Sequence, residues 1–347
     1  RQMCIRDRLL ILYNMKYINI YIIKIERGAL YFMIRILIPC FNEASVLEQT
    51  YAKLTEIMQR DSISNNYKYE LLFIDDGSKD RTLAIIKALA QRDHAVKFIS
   101  FSRNFGKESA MYAGLCASTE AEALVILDGD LQHPPTLIPQ MIAHYRDGED
   151  QVVAKRDRTG EHVIRKTVSQ LYYAVINKIV DVDLEDGVGD FRLLSQRAIR
   201  EVVNLGEYNR FSKGLFAWIG FEPKVIEYEN VVRADGESKW TFSSLLNYGI
   251  DGLISFNNKP LRAILYFGLF VCAMSFLYIL FNFIYTVSYG VSTPGYFTTI
   301  IAVLFLGGVQ LTSLGVIGEY IGRIYYEVKQ RPLYIIRQTN LSDCEVD

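Results

Sequence analysis

From Ala263 to Gly318 the chain carries no Asp, Glu, Lys, Arg or His. Lipid offers backbone groups no hydrogen-bond partner, so an apolar run of about 20 residues can cross a bilayer only as a helix. Ser, Gly and Pro divide the run between Ser288 and Gly295, which predicts two transmembrane helices, Leu261 to Val287 and Tyr296 to Tyr320. Lys259 and Arg262 precede the first, and Arg323, Lys329 and Arg331 follow the second. Cations on both flanks assign both flanks, and the domain before them, to the cytoplasmic side of an inner membrane. Gly307, Gly308, Gly315 and Gly318 allow close helix approach, within the pair or between copies of the chain in a homo-oligomer. A hairpin buried in a soluble protein is the alternative reading.

Of the 347 residues 50% are hydrophobic and the net charge is −1, so nothing in the charge balance suggests a nucleic-acid partner. Cys4, Cys40, Cys116, Cys272 and Cys344 form no Cys-x-x-Cys pair, which indicates neither a zinc site nor a disulfide framework. Residues 1–32 start without Met and mix Ile and Tyr with Lys16 and Lys24. They are expected to lie outside the fold, which starts at Met33.

Beyond that point apolar runs alternate with helical stretches. Strands are predicted at Ile34 to Ile38, Glu70 to Ile74, Val96 to Phe101, Leu124 to Leu127 and Val152 to Ala154. Helices are predicted at Ala44 to Arg60, Asp80 to Arg92, Lys107 to Ser118 and Pro135 to Tyr145. Strand alternating with helix implies an α/β fold with a mostly parallel sheet, whose ligands sit at the carboxyl ends of the strands. The polar clusters fall there: Pro39 to Glu43, Asp75 to Asp80, Arg103 to Lys107 and Asp128 to Gln132. No Gly-x-Gly-x-x-Gly follows the first strand and no phosphate-loop motif occurs, so neither a dinucleotide fold nor a P-loop is indicated.

The loop after the fourth strand holds the chemistry. In extended chain positions i and i+2 face one way, so Asp128 and Asp130 aim at one point while Gly129 permits the bend. Two carboxylates suit Mg²⁺ or Mn²⁺, which completes its shell with the oxygens of a substrate diphosphate. An Asp-rich turn without a metal is the plainer reading of such a pair alone.

The motifs in order resemble the family 2 glycosyltransferases of GT-A fold: Ile-Pro-Cys-Phe-Asn-Glu (38 to 43), Ile-Asp-Asp-Gly-Ser-Lys-Asp-Arg-Thr (74 to 82), Ser-Arg-Asn-Phe-Gly-Lys-Glu (102 to 108) and Asp-Gly-Asp-Leu-Gln-His-Pro-Pro (128 to 135). Gly-Asp-Phe-Arg-Leu-Leu (189 to 194) and Gly-Glu-Ser-Lys-Trp (236 to 240) are similar to the branch that glycosylates polyprenyl phosphates. The resemblance implies that Pro39, Asn42, Glu43, Asp75 and Asp76 bind the nucleoside and that Lys107 approaches the diphosphate or sugar. It implies a metal and sugar-diphosphate site at Asp128, Asp130 and Gln132, with Asp130 the leading ligand, and an acid at Asp190 that acts as base or orients Arg192. Asp80 is expected to cap a helix; His133 is of a type that can ligate Mn²⁺, but next to two prolines it is expected to serve the loop.

Arg156, Arg158, Arg165, Lys166, Arg192, Arg233 and Lys239 are candidates to hold the acceptor phosphate, since arginine matches phosphate oxygens in bidentate geometry. The segment Asp157 to Glu161 is a candidate lid, Ile164 to Ile179 has an amphipathic stripe, and Trp240 to Phe256 reads as an interfacial helix. The expected organisation is a catalytic domain at 33–240, an interfacial segment at 241–260, two spans within 261–320 and a cytoplasmic tail at 321–347. The resemblance implies an inverting transfer of a hexose, glucose from UDP-glucose in the preferred reading, to undecaprenyl or polyprenyl phosphate. A phosphate monoester is already ionised near pH 7, so it needs orientation more than deprotonation. A polysaccharide synthase is the alternative within this chemistry, but neither Trp218 nor Trp240 completes a Gln-x-x-Arg-Trp motif. A GT-A scaffold without catalysis is the alternative from another class.

Overall fold

A computed structural model describes residues 32–130, 132–156, 188–228, 259–289 and 295–341. Four parallel strands, β1 (Met33–Cys40), β2 (Lys68–Asp75), β3 (Val96–Phe101) and β4 (Ala123–Ile126), alternate with helices α1 (Leu47–Asn65), α2 (Thr82–Arg92) and α3 (Lys107–Ala117). A 3₁₀ turn at Pro135–Leu137 leads into α4 (Ile138–Arg146) and β5 (Gln151–Arg156). Next come β6 (Val188–Ser195), α5 (Gln196–Asn204), α6 (Ser212–Trp218) and β7 (Pro223–Tyr228). With β8 (Ile336–Thr339) from far downstream, the sheet order is β7-β5-β6-β4-β1-β2-β3-β8.

Both faces of this sheet are covered, which is why its strands read as continuous apolar runs. Ile34, Ile36 and Ile38 pack on one face against Leu54 and Met58 of α1 and Met141 of α4. Leu37 faces the other layer, with Ala110 and Met111 of α3 and Ile199 and Val202 of α5. Gly114 brings α3 onto the sheet: a Cβ there would stand 2.1 Å from Leu37 Cδ1.

The first helix starts at Leu47 rather than Ala44, because the Glu43 carbonyl takes the N–H groups of both Val46 and Leu47 and closes a turn. It runs on to Asn65 and stops where Asn66 turns left-handed at φ 50°. Three strands lie outside the sequence expectation. Strand β6 is antiparallel to β4 and β5, so its first residues reach the edge where the parallel strands end. Strand β7 pairs with β5, and β8 runs antiparallel to β3.

The two apolar runs are helices, α7 (Lys259–Tyr289) and α8 (Tyr296–Lys329), the second continuing past Tyr320. Among the described residues, which omit part of the side chains of both helices, no helix is long and apolar enough to cross a membrane. The end of α8 is tied to the sheet domain. Glu327 accepts the Tyr208 N–H at 2.7 Å, and Tyr326 stacks on Tyr208 with ring centroids 5.4 Å apart. Tyr334 then stacks on Phe101, at 5.1 Å, as the chain enters β8. The segment expected as a tail therefore supplies an edge strand. Residues 1–31, the candidate lid, the amphipathic stripe at 164–179 and the segment at 240–256 lie outside the described residues.

Candidate active site

Parallel strands deliver their following loops to one edge, and a cavity of about 310 Å³ opens there. Pro39 lies at the end of β1 and Glu43 follows it, Asp76 follows β2, Lys107 opens α3, and Asp128 and Asp130 follow β4; all line it. Leu127 donates its N–H to the Leu37 carbonyl at 3.0 Å and so extends the ladder to the point where the acids begin. The buried Thr50 hydroxyl of α1 donates to the Gly129 carbonyl at 2.8 Å and holds the bend between the two aspartates.

The loops are cross-braced. Asn42, left-handed at φ 55°, takes the Lys79 N–H on its side-chain oxygen at 2.9 Å, while its own N–H donates to Ser78 Oγ at 3.0 Å. Asp80 accepts from Thr82 N and Ala44 N, so the expected cap also joins two loops. Asp76 accepts the N–H groups of Phe105 (2.6 Å) and Gly106 (2.9 Å), fixing the chain just before Lys107. Burial pushes the Asp76 carboxyl up, and those two N–H groups oppose the shift.

Lys107 is the hub of the site. Its Nζ lies 2.7 Å from Asp128 Oδ1 and 2.6 Å from Asp190 Oδ2. Asp190 is present because β6 is antiparallel and starts at this edge. Burial works against the lysine charge, but Asp190 and Asp128 outweigh it and hold Lys107 above the usual lysine range. Burial alone would also raise Asp190; Lys107, Lys213 and Arg192 instead lower it to about 2. His133 contacts the Tyr228 hydroxyl through Nδ1 at 2.6 Å and lies 4.0 Å from Asp128 Oδ2. Burial lowers its pKa, with the neighbouring Asp128 opposing, so it sits by the acids as a largely neutral group.

Two expected site residues turn elsewhere. Asp75 is buried, and its carboxylate accepts from Ser100 Oγ (2.7 Å) and Ser78 N (3.1 Å), so it braces the loop instead of lining the cavity. Arg192 is also buried: its guanidinium lies 4.0 Å above the Phe216 ring and donates to the Gly189 carbonyl at 2.9 Å. Burial lowers its pKa to about 10, and the group supports the turn before Asp190. Asn42 and Gln132 stand beside the cavity without lining it; the Gln132 amide donates to Asp130. Arg156 ends β5 opposite Tyr228. Arg158, Arg165, Lys166, Arg233 and Lys239 lie outside the described residues.

Sequence reasoning passed over Glu108. Burial raises its pKa, and it accepts from Ser212 N at 3.1 Å and from the Ser212 hydroxyl, tying α6 to the start of α3. It also missed Thr50, Tyr228 and Glu327, whose partners are far away in sequence.

The donor set fits a hard divalent cation. Asp128 and Asp130 offer carboxylate oxygens and Gln132 an amide, and among the described residues no three His, Cys, Asp or Glu side chains gather as a ligand group. Such a two-carboxylate site holds Mg²⁺ or Mn²⁺ when a diphosphate supplies further oxygens.

A doubly covered, mostly parallel sheet with paired aspartates after β4 is the arrangement of a GT-A-like fold. The chain belongs to glycosyl transferase family 2: that family's model matches residues 35–203, and that of the GtrB C-terminal hairpin matches residues 259–324. It is a glycosyltransferase. The protein named "Putative glycosyltransferase CsbB" of Bacillus subtilis (strain 168) is 53% identical over 309 residues, spanning 89% of this chain and 92% of the relative. The bactoprenol glucosyl transferase of the SfII prophage in Shigella flexneri is 42% identical over 308 residues, 88% of this chain and 98% of that one. An uncharacterized glycosyltransferase of Synechocystis, sll0501, is 39% identical over 302 residues, 87% and 93% of the two chains.

Proposed function

We propose that this chain transfers a hexose, glucose from UDP-glucose in the preferred case, to polyprenyl phosphate, with undecaprenyl phosphate as the acceptor, at the cytoplasmic leaflet of a bacterial inner membrane. The observation that carries the reading is the meeting of Asp128, Asp130, Lys107 and Asp190 at one cavity edge, in a domain tied by Glu327 and β8 to the apolar hairpin. The bactoprenol glucosyl transferase matches along 88% of the chain and supports the choice of acceptor.

In this reading Asp128, Asp130 and Gln132 hold Mg²⁺ or Mn²⁺, which when bound offsets the charge that gathers on the departing nucleoside diphosphate. Glu43 and Asp76 face the nucleoside, and Lys107 faces the diphosphate. Asp190, held near pKa 2, stays a carboxylate throughout the physiological range and is a poor proton acceptor. Its work is orientation, because an ionised phosphate needs no base. Attack by the lipid phosphate oxygen on the anomeric carbon, opposite the leaving diphosphate, inverts that centre. Arg156, Arg165, Arg233 and Lys239 remain the proposed holders of the acceptor phosphate, and Arg192 acts through the Gly189 turn.

The hairpin reading rests on the uncharged sequence from Ala263 to Gly318 and on its cationic flanks. Exposed Phe270, Phe276, Phe281 and Leu311 support it, since a monomer rarely leaves so much apolar surface in water. The open faces at Gly307, Gly308, Gly315 and Gly318 offer a contact to a second copy of the chain. The domain limits are proposed as 33–240 for catalysis and 261–320 for the spans; Phe32, expected to lie outside the fold, instead packs on Tyr67 and Tyr145, and its carbonyl takes the Lys68 N–H at 2.9 Å. The test is incubation of membranes holding the full chain with labelled UDP-glucose, GDP-mannose and UDP-N-acetylglucosamine, followed by lipid extraction. Label in the lipid phase from UDP-glucose alone supports the reading; label only in a water-soluble polymer contradicts it.

A further inference from the structure

A lysine occupies the place where the acids of this site converge. Lys107 Nζ touches both Asp128 and Asp190 at the distances of charge-assisted hydrogen bonds. The root of this side chain is fixed: Gly106 turns at φ +98°, and its N–H and that of Phe105 are held by Asp76. Beyond that root the side chain is an unbranched four-carbon stem, flexible by its own chemistry, and 45% of it is exposed. Without that cation, Asp128, Asp130 and Asp190 would face one another across a small space with Glu43 nearby. With it, Asp128 is already paired, and among the described residues no third acid, His or Cys completes a ligand group for a metal.

We propose that Lys107 is the resident counter-ion of the apo site and makes divalent-metal binding conditional on the nucleotide. The proposal rests on the reading of Asp128 and Asp130 as metal ligands. A nucleoside diphosphate brings two things together: oxygens that complete a metal's shell, and an anion that draws Lys107 away from Asp128. Metal and diphosphate then strengthen each other's binding by the same factor, because such coupling is reciprocal. Asp190 keeps hold of the lysine on its far side, so the stem swings between Asp128 and the phosphate without losing its anchor.

The test is a Mn²⁺ titration of the detergent-solubilised full chain, read from the electron paramagnetic resonance of free Mn²⁺, with and without UDP and corrected for Mn²⁺–UDP alone. Wild type is expected to bind Mn²⁺ weakly without UDP and at least about tenfold more tightly with it, within the usual range of coupled ligands. Lys107→Met is expected to bind Mn²⁺ without UDP about tenfold more tightly than wild type, with a smaller gain from UDP. Lys107→Arg keeps the charge and should behave as wild type. Apo Lys107→Met binding Mn²⁺ no more tightly than wild type overturns the proposal, and so does Lys107→Arg behaving like Lys107→Met. If Asp128→Asn and Asp130→Asn bind Mn²⁺ as wild type does, the metal-site reading itself fails, an outcome distinct from failure at Lys107 alone.

Discussion

Replacing Asp190 with Asn removes one negative charge and leaves the shape. In the folded protein the carboxyl is held at about 2, against an ordinary 3.8, by Lys107, Lys213 and Arg192 acting against burial. A downward shift of that size corresponds to about 2 kcal/mol of stability, the side chain being only 16% exposed. Because the folded pKa lies below the unfolded one, this contribution is complete above about pH 4 and is lost as pH falls toward 2. Thermal melts of wild type and Asp190→Asn should therefore differ by about 4–8 °C, equally at pH 7 and pH 5, with the gap narrowing below pH 4. In the transfer assay the variant should lose about tenfold in kcat through misplacement of Lys107, while the pH dependence between 6 and 8 keeps its shape. Equal melting temperatures at pH 7 would refute the electrostatic account. An acidic limb in the wild-type rate profile that vanishes in the variant would refute the orienting role and make Asp190 a base.

Three further substitutions probe the frame of the site. Gly114→Ala forces a methyl group to within 2.1 Å of Leu37 Cδ1 and should destabilise by about 1–3 kcal/mol, read as a lower melting temperature. Thr50→Val leaves the Gly129 carbonyl without its buried donor; a loss of about 1–3 kcal/mol is expected, together with weaker Mn²⁺ binding, as the loop between the aspartates relaxes. Glu327→Ala removes the acceptor of Tyr208 N–H and should speed proteolysis within residues 205–211 while leaving the core melt within about 1 kcal/mol of wild type.

The parallel half of the sheet was legible in the sequence because strands buried on both faces leave unbroken apolar runs, as at Leu71 to Ile74 and Leu124 to Leu127. The acids of the site were legible for a related reason: polar residues immediately after such runs have no core to enter and fall on the ligand edge. Strand β6 carried a different pattern. Asp190 and Arg192 share one side of it, so its alternation reads as a polar motif, and only the sheet order puts Asp190 opposite Lys107. Strand β8 lies beyond the hairpin and pairs with a strand more than 200 residues earlier, a pairing no local pattern records. The same limit explains Asp75 and Arg192. Residue type marks both as polar candidates, but only packing shows that their charges turn toward Ser100 and Gly189 and away from the cavity.

The proposed transfer requires a metal-held sugar diphosphate at the edge of β4, presented to a lipid phosphate. The most direct measurement is glycolipid formation from labelled UDP-glucose by membranes carrying wild type or Asp130→Asn, with expression matched and Mn²⁺ or Mg²⁺ either supplied or chelated. Wild type should label the lipid phase only when metal is present, and Asp130→Asn should fall by at least about a hundredfold. Undiminished labelling by Asp130→Asn, or labelling that survives chelation, would contradict the account.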